Sequence, residues 1–303
     1  MAGSTFKGLD EWLQEKGYNK LLSQENDRRI IATWIEAKRK GQASNSKLFI
    51  DSGAFSAHTK GIEIDVDEYI EYLNENDDAF TIYAQVDKIP GRFGQPKTRE
   101  EKLEAPRISW ENYLYMVERL KSPKKLLPVF HQGEDFKWLH NILEYRDKNG
   151  EPIEYMGVSP ANDVSTVLKD KWLRSVYDII TRSSNPNIKT HALGMTSLKV
   201  LEKYPFTSAD STSWIMTAVN GSIFSDYGTI LVSDVSKNNP SHYNFLHPTA
   251  KQTILDFISK HGFTMEQLST DYKQRELYNI TYLMDWASKY KVKPTSWKIS
   301  KLF

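Results

Sequence analysis

Residues 47–53 read KLFIDSG, and residues 80–87 read FTIYAQVD. Both contain a short apolar run that closes on an aspartate, which is typical of a buried strand with polar groups at its carboxyl end. Further runs of this kind lie at 126–131, 154–159, 188–194 and 206–211. We therefore predict that each of these segments is a strand of one sheet.

Segments with the apolar spacing of an amphipathic helix alternate with these strands. The first covers residues 26–41 and places Ile30, Ile31 and Trp34 on one stripe. The others lie at 66–76, 109–121, 134–147, 163–182, 197–203, 248–260 and 272–290. Ser109 is the predicted N-cap of its helix, because serine side chains accept hydrogen bonds from the first turn.

Strands that alternate with helices predict a parallel sheet, because two parallel neighbours need a crossover long enough to hold a helix. Neither a G-x-G-x-x-G motif nor a Walker loop follows any of the strands. This favours a closed (β/α)8 TIM-type barrel over an open doubly wound sheet. The predicted fold class is therefore α/β, with helical additions at both termini.

The domain organisation follows from the same pattern. We predict one domain over residues 1–303, with its core at about 47–235 and a helical C-terminal region at about 248–303. Residues 222–234 are either a hairpin or the seventh strand, and no segment is evident as the eighth. Residues 88–106 contain three prolines and two glycines, which predicts a long loop on the active-site face of a barrel.

Composition excludes several classes of protein. The chain has 303 residues and no cysteine, which excludes a disulfide-stapled fold and a cysteine-ligated zinc or iron–sulfur site. With 40 Lys and Arg against 39 Asp and Glu, any nucleic-acid surface must be local. We find no apolar stretch long enough to span a membrane and no signal-peptide pattern, so we expect a cytoplasmic protein without a membrane partner.

The predicted strands deliver polar residues to one end of the sheet. These residues are Asp51-Ser52-Gly53, Asp87, His131-Gln132-Gly133, Gly157-Val158-Ser159, His191, Gly194 and Asp210-Ser211. Three carboxylates together with a glutamine and backbone amides suit recognition of a purine base. Two carboxylates beside an anomeric carbon also suit substitution there through a covalent glycosyl-enzyme.

Other interpretations of these residues remain open. An aspartate after a strand is also a common helix N-cap, and a lone histidine is commonly a hydrogen-bonded core residue. A metal-dependent hydrolase is disfavoured, because neither a His-x-His pair nor a His-Glu-x-x-His motif is present. We therefore predict neither a metal site nor a cofactor.

The motifs, taken in order, resemble the tRNA-guanine transglycosylase superfamily over about residues 47–215. They are most similar to its phage-encoded branch, which acts on DNA and exchanges guanine for a 7-deazaguanine. The residues that carry the resemblance are Asp51-Ser52-Gly53-Ala54-Phe55, Gln85-Val86-Asp87, Val129-Phe130-His131-Gln132-Gly133, Gly157-Val158, His191-Ala192-Leu193-Gly194-Met195 and Ser208-Ala209-Asp210-Ser211.

The resemblance implies a pentosyltransferase and a role for each matching residue. Asp210 would be the nucleophile and Asp51 the acid/base, while Asp87, Gln132 and Gly157 would read the base. The remaining substrate-binding residues of the pocket would be Ser52, Phe55, His131 and Met195.

The chain also departs from the family pattern. Ala54 stands in place of the second glycine of the Asp-Ser-Gly-Gly motif, and Ser211-Thr212-Ser213-Trp214 replaces the segment that carries an arginine in the tRNA enzymes. The three cysteines of the family zinc site are missing. The zinc subdomain is therefore rebuilt without metal or lost, and the polymer substrate is expected to have changed from tRNA to DNA.

The expected partners are DNA and a free base such as 7-cyano-7-deazaguanine. The alternatives are a tRNA enzyme without zinc and a catalytically silent barrel that binds nucleic acid. For each of these functions the sequence is compatible with a partner protein or a homodimer. Phe55 or Trp214 would stack on a flipped base or pack inside the fold. The basic run from Lys289 to Lys301 has five lysines and no acid, so it either contacts phosphates or is a solvated tail.

Overall fold

The computed structural model describes residues 2, 3, 6, 8–161, 164–195 and 197–291. The chain divides into two compact units, a larger one that comprises Asp10–Asp210 and a smaller one formed mainly by Ser211–Lys291. The single domain over residues 1–303 stays a prediction. Over the described ranges, no helix is both long and apolar enough to cross a bilayer.

The larger unit contains parallel strands that follow one another in chain order. They are β1 Lys20–Ser23, β2 Leu48–Asp51, β3 Ile82–Ala84, β4 Leu126–Leu127, β5 Val129–His131, β6 Tyr155–Ser159, β7 Lys189–Ala192 and β8 Ser208–Ala209. Hydrogen-bonded neighbours run in the orders β1-β2-β3-β4 and β5-β6-β7-β8. Each predicted strand is confirmed, but the strands form two hydrogen-bonded sheets where one is predicted. The structure is of the α/β class.

The predicted strand at 126–131 is divided into β4 and β5 by Pro128. Proline has no N–H to give to a ladder, so it interrupts the regular pairing. Its carbonyl still accepts a hydrogen bond from the backbone N–H of Gly157 at 2.7 Å. Residues 126–131 therefore link the two sheets.

Helices precede and connect these strands. They are α1 Leu9–Glu15, α2 Arg28–Arg39, α3 Ala54–Lys60, α4 Val66–Glu75, α5 Arg99–Arg119, α6 Phe136–Glu144, α7 Thr166–Arg182 and α8 Leu198–Lys203. Each of the longer helices turns an apolar stripe inward; in α7, Trp172, Leu173 and Val176 are buried. The stripe predicted for residues 26–41 is likewise inward in part, since Ile31 and Trp34 are buried in α2.

Strand β1 is absent from the predicted set, because its sequence KLLS begins with a lysine. Lys20 is nonetheless buried, and its ammonium group lies 3.1 Å from the carboxylate of Asp10. The indole N–H of Trp34 donates to the same carboxylate at 2.9 Å. Burying a charged side chain requires this kind of pairing, which short-range periodicity does not reveal.

The long loop predicted for residues 88–106 is wrong in its second half, and so is Ser109 as an N-cap. Helix α5 begins at Arg99, and Thr98 and Glu101 form a capping box at its start. Pro106 lies inside the helix and Ser109 is buried on it. The Ser109 hydroxyl accepts from the backbone N–H of Lys88 at 2.9 Å, which holds the segment after β3 against α5.

Side chains from the two four-stranded sheets of the larger unit contact each other. The ring of Phe49 on β2 contacts the ring of His191 on β7 edge-on, with 4.8 Å between the centroids. These two strands are not neighbours in the hydrogen-bonding order, so their side chains meet across the interior. Among the described strands, no ladder joins β8 back to β1.

The smaller unit combines helices with an antiparallel hairpin. Its elements are α9 Ser213–Val219, β9 Ser222–Ser225, β10 Gly228–Leu231, α10 Pro248–Lys260, α11 Met265–Thr270 and α12 Tyr272–Lys289. The strands β9 and β10 pair with each other. Of the two alternatives for residues 222–234, the structure therefore has the hairpin.

Helix α12 organises the core of the smaller unit. The amide of Asn279 accepts from the backbone N–H of Phe224 at 2.9 Å and donates to the carbonyl of Trp214 at 3.3 Å. Trp214 itself is fully buried, so of its two predicted uses it has the packing one. Of the basic C-terminal run, Lys289 pairs with Asp285, whereas residues 292–303 lie outside the described part of the chain.

Candidate active site

Three aspartates come together at the carboxyl ends of strands in the larger unit. Asp51 is the last residue of β2, Asp210 directly follows β8, and Asp87 lies three residues beyond β3. Burial and the negative charges of Asp210 and Asp87 raise the pKa of Asp51 to about 7. Backbone hydrogen bonds from Gly53 and Ser52 lower this pKa, but by less. A carboxyl with this pKa can give and take a proton near neutral pH.

Gly53 forms the turn that positions Asp51. Its φ of 80° lies in the left-handed region, and its N–H donates to Asp51 Oδ2 at 3.2 Å. A Cβ at this position would lie 2.6 Å from both Glu25 Cβ and Ser23 Oγ. Conformation and close packing therefore both require glycine at the start of α3.

Replacing Gly53 with alanine should destabilise the protein by about 2 kcal/mol or more, because a left-handed alanine costs roughly 1–2 kcal/mol before any clash. The matched control is Gly61→Ala at the other end of α3, where φ is 69° and no atom lies within 4 Å of the added Cβ. Urea unfolding of both variants measures the difference. Equal losses would contradict a role for the contact with Glu25 and Ser23.

Asp87 is held by two side chains. Gln85 Nε2 donates to Asp87 Oδ1 at 2.5 Å, and His131 Nε2 lies 3.0 Å from Asp87 Oδ2. Since a carboxylate only accepts, His131 must carry a proton on Nε2. Burial lowers the pKa of His131, but attraction to Asp87, Glu134 and Asp51 outweighs it and raises this pKa to about 9. The pair is therefore ionic at neutral pH.

This ion pair should make stability depend on pH. The folded pKa of His131 is about 9, so the stabilisation is complete below its unfolded pKa of about 6.5 and is lost as pH rises through 9. Because the imidazole is 35% exposed, we expect a loss of only about 1 kcal/mol after solvent screening. Urea unfolding of His131→Gln across this window should show a smaller decline than the wild type, and the decline that remains comes from Asp51 and Glu134, whose pKa values of about 7 lie at its lower end.

The exposed His140 on α6 provides the matched control. His140→Gln should retain the full decline, because this histidine lies outside the site and pairs only loosely with Glu144, at 3.8 Å. If His131→Gln and the wild type lose stability in parallel, the ion pair with Asp87 is not its source.

Asp210 is held through one oxygen only. Its Oδ1 accepts from the backbone N–H of Gly194 at 3.1 Å and lies 3.0 Å from His191 Nε2. Among the described residues, no donor reaches Oδ2. One oxygen is thus fixed while the other is available to react.

A chain of hydrogen bonds orients the buried His191. Its Nδ1 lies 2.5 Å from Ser208 Oγ, and the hydroxyl of Tyr155 bonds to the same serine. Burial raises the pKa of Tyr155 to about 12, so its phenol stays protonated at neutral pH and serves as a hydrogen-bonding group. This chain directs Nε2 of the imidazole at Asp210.

Two residues of the candidate site were missed by sequence analysis. Burial raises the pKa of Glu134 to about 7, and its carboxylate accepts from the backbone N–H of His131 at 3.2 Å. Gln85 is 2% exposed, and within the described structure its Oε1 has no hydrogen-bond partner. The signal for Gln85 was its spacing of two from Asp87, which places both side chains on one face of the chain.

The two predicted base readers Gln132 and Gly157 are engaged in the fold. Gln132 Oε1 accepts from the backbone N–H of Ala161, and its Nε2 donates to the carbonyl of Leu168, at 3.1 and 3.4 Å. The N–H of Gly157 is bound to Pro128. Gly157 would have to give up its present partner to read a base, whereas the Gln132 amide has a second N–H on Nε2. In this structure the two residues hold the loop after β6 and the sheet.

The remaining predicted residues differ in exposure. Ser52 and Met195 are buried, beside Asp51 and Gly194 respectively. Phe55 is 61% exposed in the first turn of α3. Phe55 therefore does not pack inside the fold, and its ring is accessible for stacking on a base.

Comparison with known protein families and with characterised proteins finds no match to this chain. Over the residues that the structure describes, no cluster of three or more His, Asp and Glu side chains is arranged to hold a metal ion. The geometry of the three aspartates and their partners is therefore the basis for a function.

Proposed function

We propose that this chain is a DNA guanine transglycosylase, which exchanges guanine for a 7-deazaguanine through a covalent glycosyl-aspartate. The observation that carries the proposal is the arrangement of Asp210. One of its oxygens is held by His191 and Gly194, and the carboxyl of Asp51, with a pKa of about 7, lies within its electrostatic reach. A nucleophile beside an acid/base is what substitution at an anomeric carbon needs.

In the first half of the reaction, Asp210 Oδ2 attacks C1′ of the target deoxyguanosine. An ester bond forms as the C1′–N9 bond breaks, and the electron pair of the broken bond goes to guanine. Asp51 gives its proton to the departing base. Oδ1 becomes the carbonyl oxygen of the ester and keeps both of its donors.

In the second half, Asp51 takes a proton from the incoming 7-deazaguanine, whose nitrogen attacks C1′ and releases Asp210. The two donors on Oδ1 stabilise the negative charge that returns to the carboxylate. Two displacements at one carbon retain its configuration.

Asp87 is proposed to bind the base. A carboxylate has about four lone-pair sites, and the bonds from Gln85 and His131 occupy two of them. The remaining sites can accept from ring N–H and amino groups of guanine. The unpartnered Oε1 of Gln85 is one more acceptor beside Asp87.

For the fold, we propose that the strands of the larger unit close into a (β/α)8-type barrel. The ring contact between Phe49 and His191 supports this, because side chains of β2 and β7 meet across the interior of a closed barrel. A barrel would gather the carboxyl ends of the strands at one mouth. A DNA substrate implies the cytoplasm as the location, that of the host if the protein is phage-encoded.

The test is mass spectrometry of nucleosides after the protein is incubated with DNA or with tRNA, each with and without 7-cyano-7-deazaguanine. We expect modified deoxyguanosine only in DNA that received the base. Modification confined to tRNA would show that the substrate is tRNA and not DNA. Unchanged nucleosides in both polymers would overturn the proposal.

A further inference from the structure

Two segments that leave the candidate active site meet at an exposed aromatic residue. Helix α3 starts after Asp51 and carries His58, and the segment between β3 and α5 contains Asp87 and, further along, Phe93. Phe93 is 61% exposed, and the His58 ring lies edge-on to it with 6.4 Å between the centroids. A large ring kept in water beside a polar pocket is available for stacking.

Basic residues lie close to Phe93 in the chain. Arg92 and Lys97 flank Phe93 in the chain and are exposed. Within the described structure, no carboxylate lies at ion-pair distance from either of them, whereas Lys88 nearby is paired with Glu63. Burial together with the charges of Lys97 and Lys88 lowers the pKa of His58, so these cations lie close to the ring pair.

The chain length between Asp87 and Phe93 limits how far this ring can lie from the carboxylates. A chain advances at most about 3.5 Å per residue, so Phe93 lies within about 21 Å of Asp87 along the segment that joins them. Stacked nucleotides are about 3.4 Å apart, which makes that limit roughly six nucleotides. A strand with one base in the pocket can therefore reach Phe93.

We propose that His58, Arg92, Phe93 and Lys97 form a strand-binding patch for single-stranded DNA that flanks the reacting nucleotide. Phe93 stacks on a flanking base, and Arg92 and Lys97 contact phosphates. Aromatic rings interleaved with cations bind single strands without sequence preference, which suits an enzyme that must hold an unpaired target. The inference rests on the proposed function, since it takes the polymer to be DNA.

The test measures binding of a short fluorescein-labelled single strand by anisotropy over a range of salt concentrations. The logarithm of the association constant falls with the logarithm of the salt concentration, and each phosphate contact on a single strand adds about 0.7 to the steepness of that fall. In the double variant Arg92→Gln/Lys97→Gln, the dependence should therefore be less steep by about 1.4. Phe93→Ala should weaken binding roughly fivefold or more with little change in slope.

The matched control is Lys16→Gln/Lys148→Gln, which removes the same charge from exposed positions in the connections before β1 and β6. This control should bind as the wild type does. Patch variants that bind DNA like the wild type would overturn the proposal, and so would variants that lose affinity only for tRNA.

The two proposals fail in distinguishable ways. The anisotropy assay needs no base exchange, so binding that depends on the patch can be observed even if no modified nucleoside forms. Conversely, exchange by the patch variants at wild-type affinity for DNA would refute the patch and leave the proposed function standing. Circular dichroism and thermal melting of each variant separate lost binding from lost folding.

Discussion

Asp210→Asn should abolish base exchange, with a fall in rate of about a thousandfold or more, because an amide oxygen is a poor nucleophile at C1′. The amide can retain the bonds from His191 and Gly194 to one oxygen, so the fold should be kept. The first measurement is the rate of guanine release from labelled DNA. The second is intact-protein mass spectrometry after the wild type and the variant are denatured in mid-reaction.

The wild type should carry a mass increment equal to the DNA fragment, and Asp210→Asn should carry none. Asp78→Asn is the matched control, because Asp78 is an exposed carboxylate whose partner is Arg39, away from the site. It should exchange bases and form the adduct normally. An adduct that persists in Asp210→Asn would assign the nucleophile to another residue, and Asp51 would be examined next.

Two variants of His191 test whether its imidazole positions Asp210 or itself transfers a proton. If it positions Asp210 rather than reacting, His191→Gln should retain part of the activity, because its amide N–H can replace the donor at Nε2. His191→Ala should lower the rate of adduct formation while the affinity for DNA stays unchanged. Equal losses in both variants would instead indicate that the imidazole itself transfers a proton.

Much of this site was predictable from local pattern. In parallel strands the residue at the carboxyl end is delivered to a common edge, so runs that close on Asp51 and Asp87 were enough to place those carboxylates together. The ion pair of His131 with Asp87 could not be predicted from local pattern, because the two residues are 44 positions apart and meet only through the register of β3, β4 and β5. The same holds for His191 and Asp210, which lie 19 residues apart.

The errors have local physical causes. The prolines and glycines of residues 88–106 predict a loop throughout, whereas the capping box of Thr98 and Glu101 starts a helix that accommodates Pro106. The burial of Lys20 in β1 depends on its ion pair with Asp10. The alternation of apolar and polar residues along a strand does not indicate such a partner. The roles of Gln132 and Gly157 were carried over by resemblance, and only the backbone pairing shows that both are already bonded.

Asp51→Asn should separate activity from stability. Its folded pKa of about 7 lies above the unfolded value near 3.8, so the folded state binds more protons between these values and its stability falls as pH rises. An asparagine has no charge to bury, so the variant should be more stable than the wild type above about pH 7, by at most about 4 kcal/mol. Urea unfolding at low and at high pH measures this difference.

The same substitution should slow exchange by about a hundredfold to ten-thousandfold, the usual contribution of a positioned acid or base. In the wild type, guanine release should slow as pH rises through about 7, because Asp51 must be protonated to give its proton. Incorporation of the new base into the preformed adduct should accelerate over the same range, because Asp51 must then be ionised. Both dependences should vanish in Asp51→Asn.

Glu134→Gln is the decisive comparison, because burial raises the pKa of Glu134 to the same value of about 7. A pH profile alone cannot tell the two carboxyls apart, but the opposite slopes of the two half-reactions should survive in Glu134→Gln and disappear in Asp51→Asn. Slopes that vanish with Glu134 instead would make that residue the acid/base. Asp51 would then be left as a carboxyl that reads the base, and the proton would have to travel past His131, whose backbone already binds Glu134.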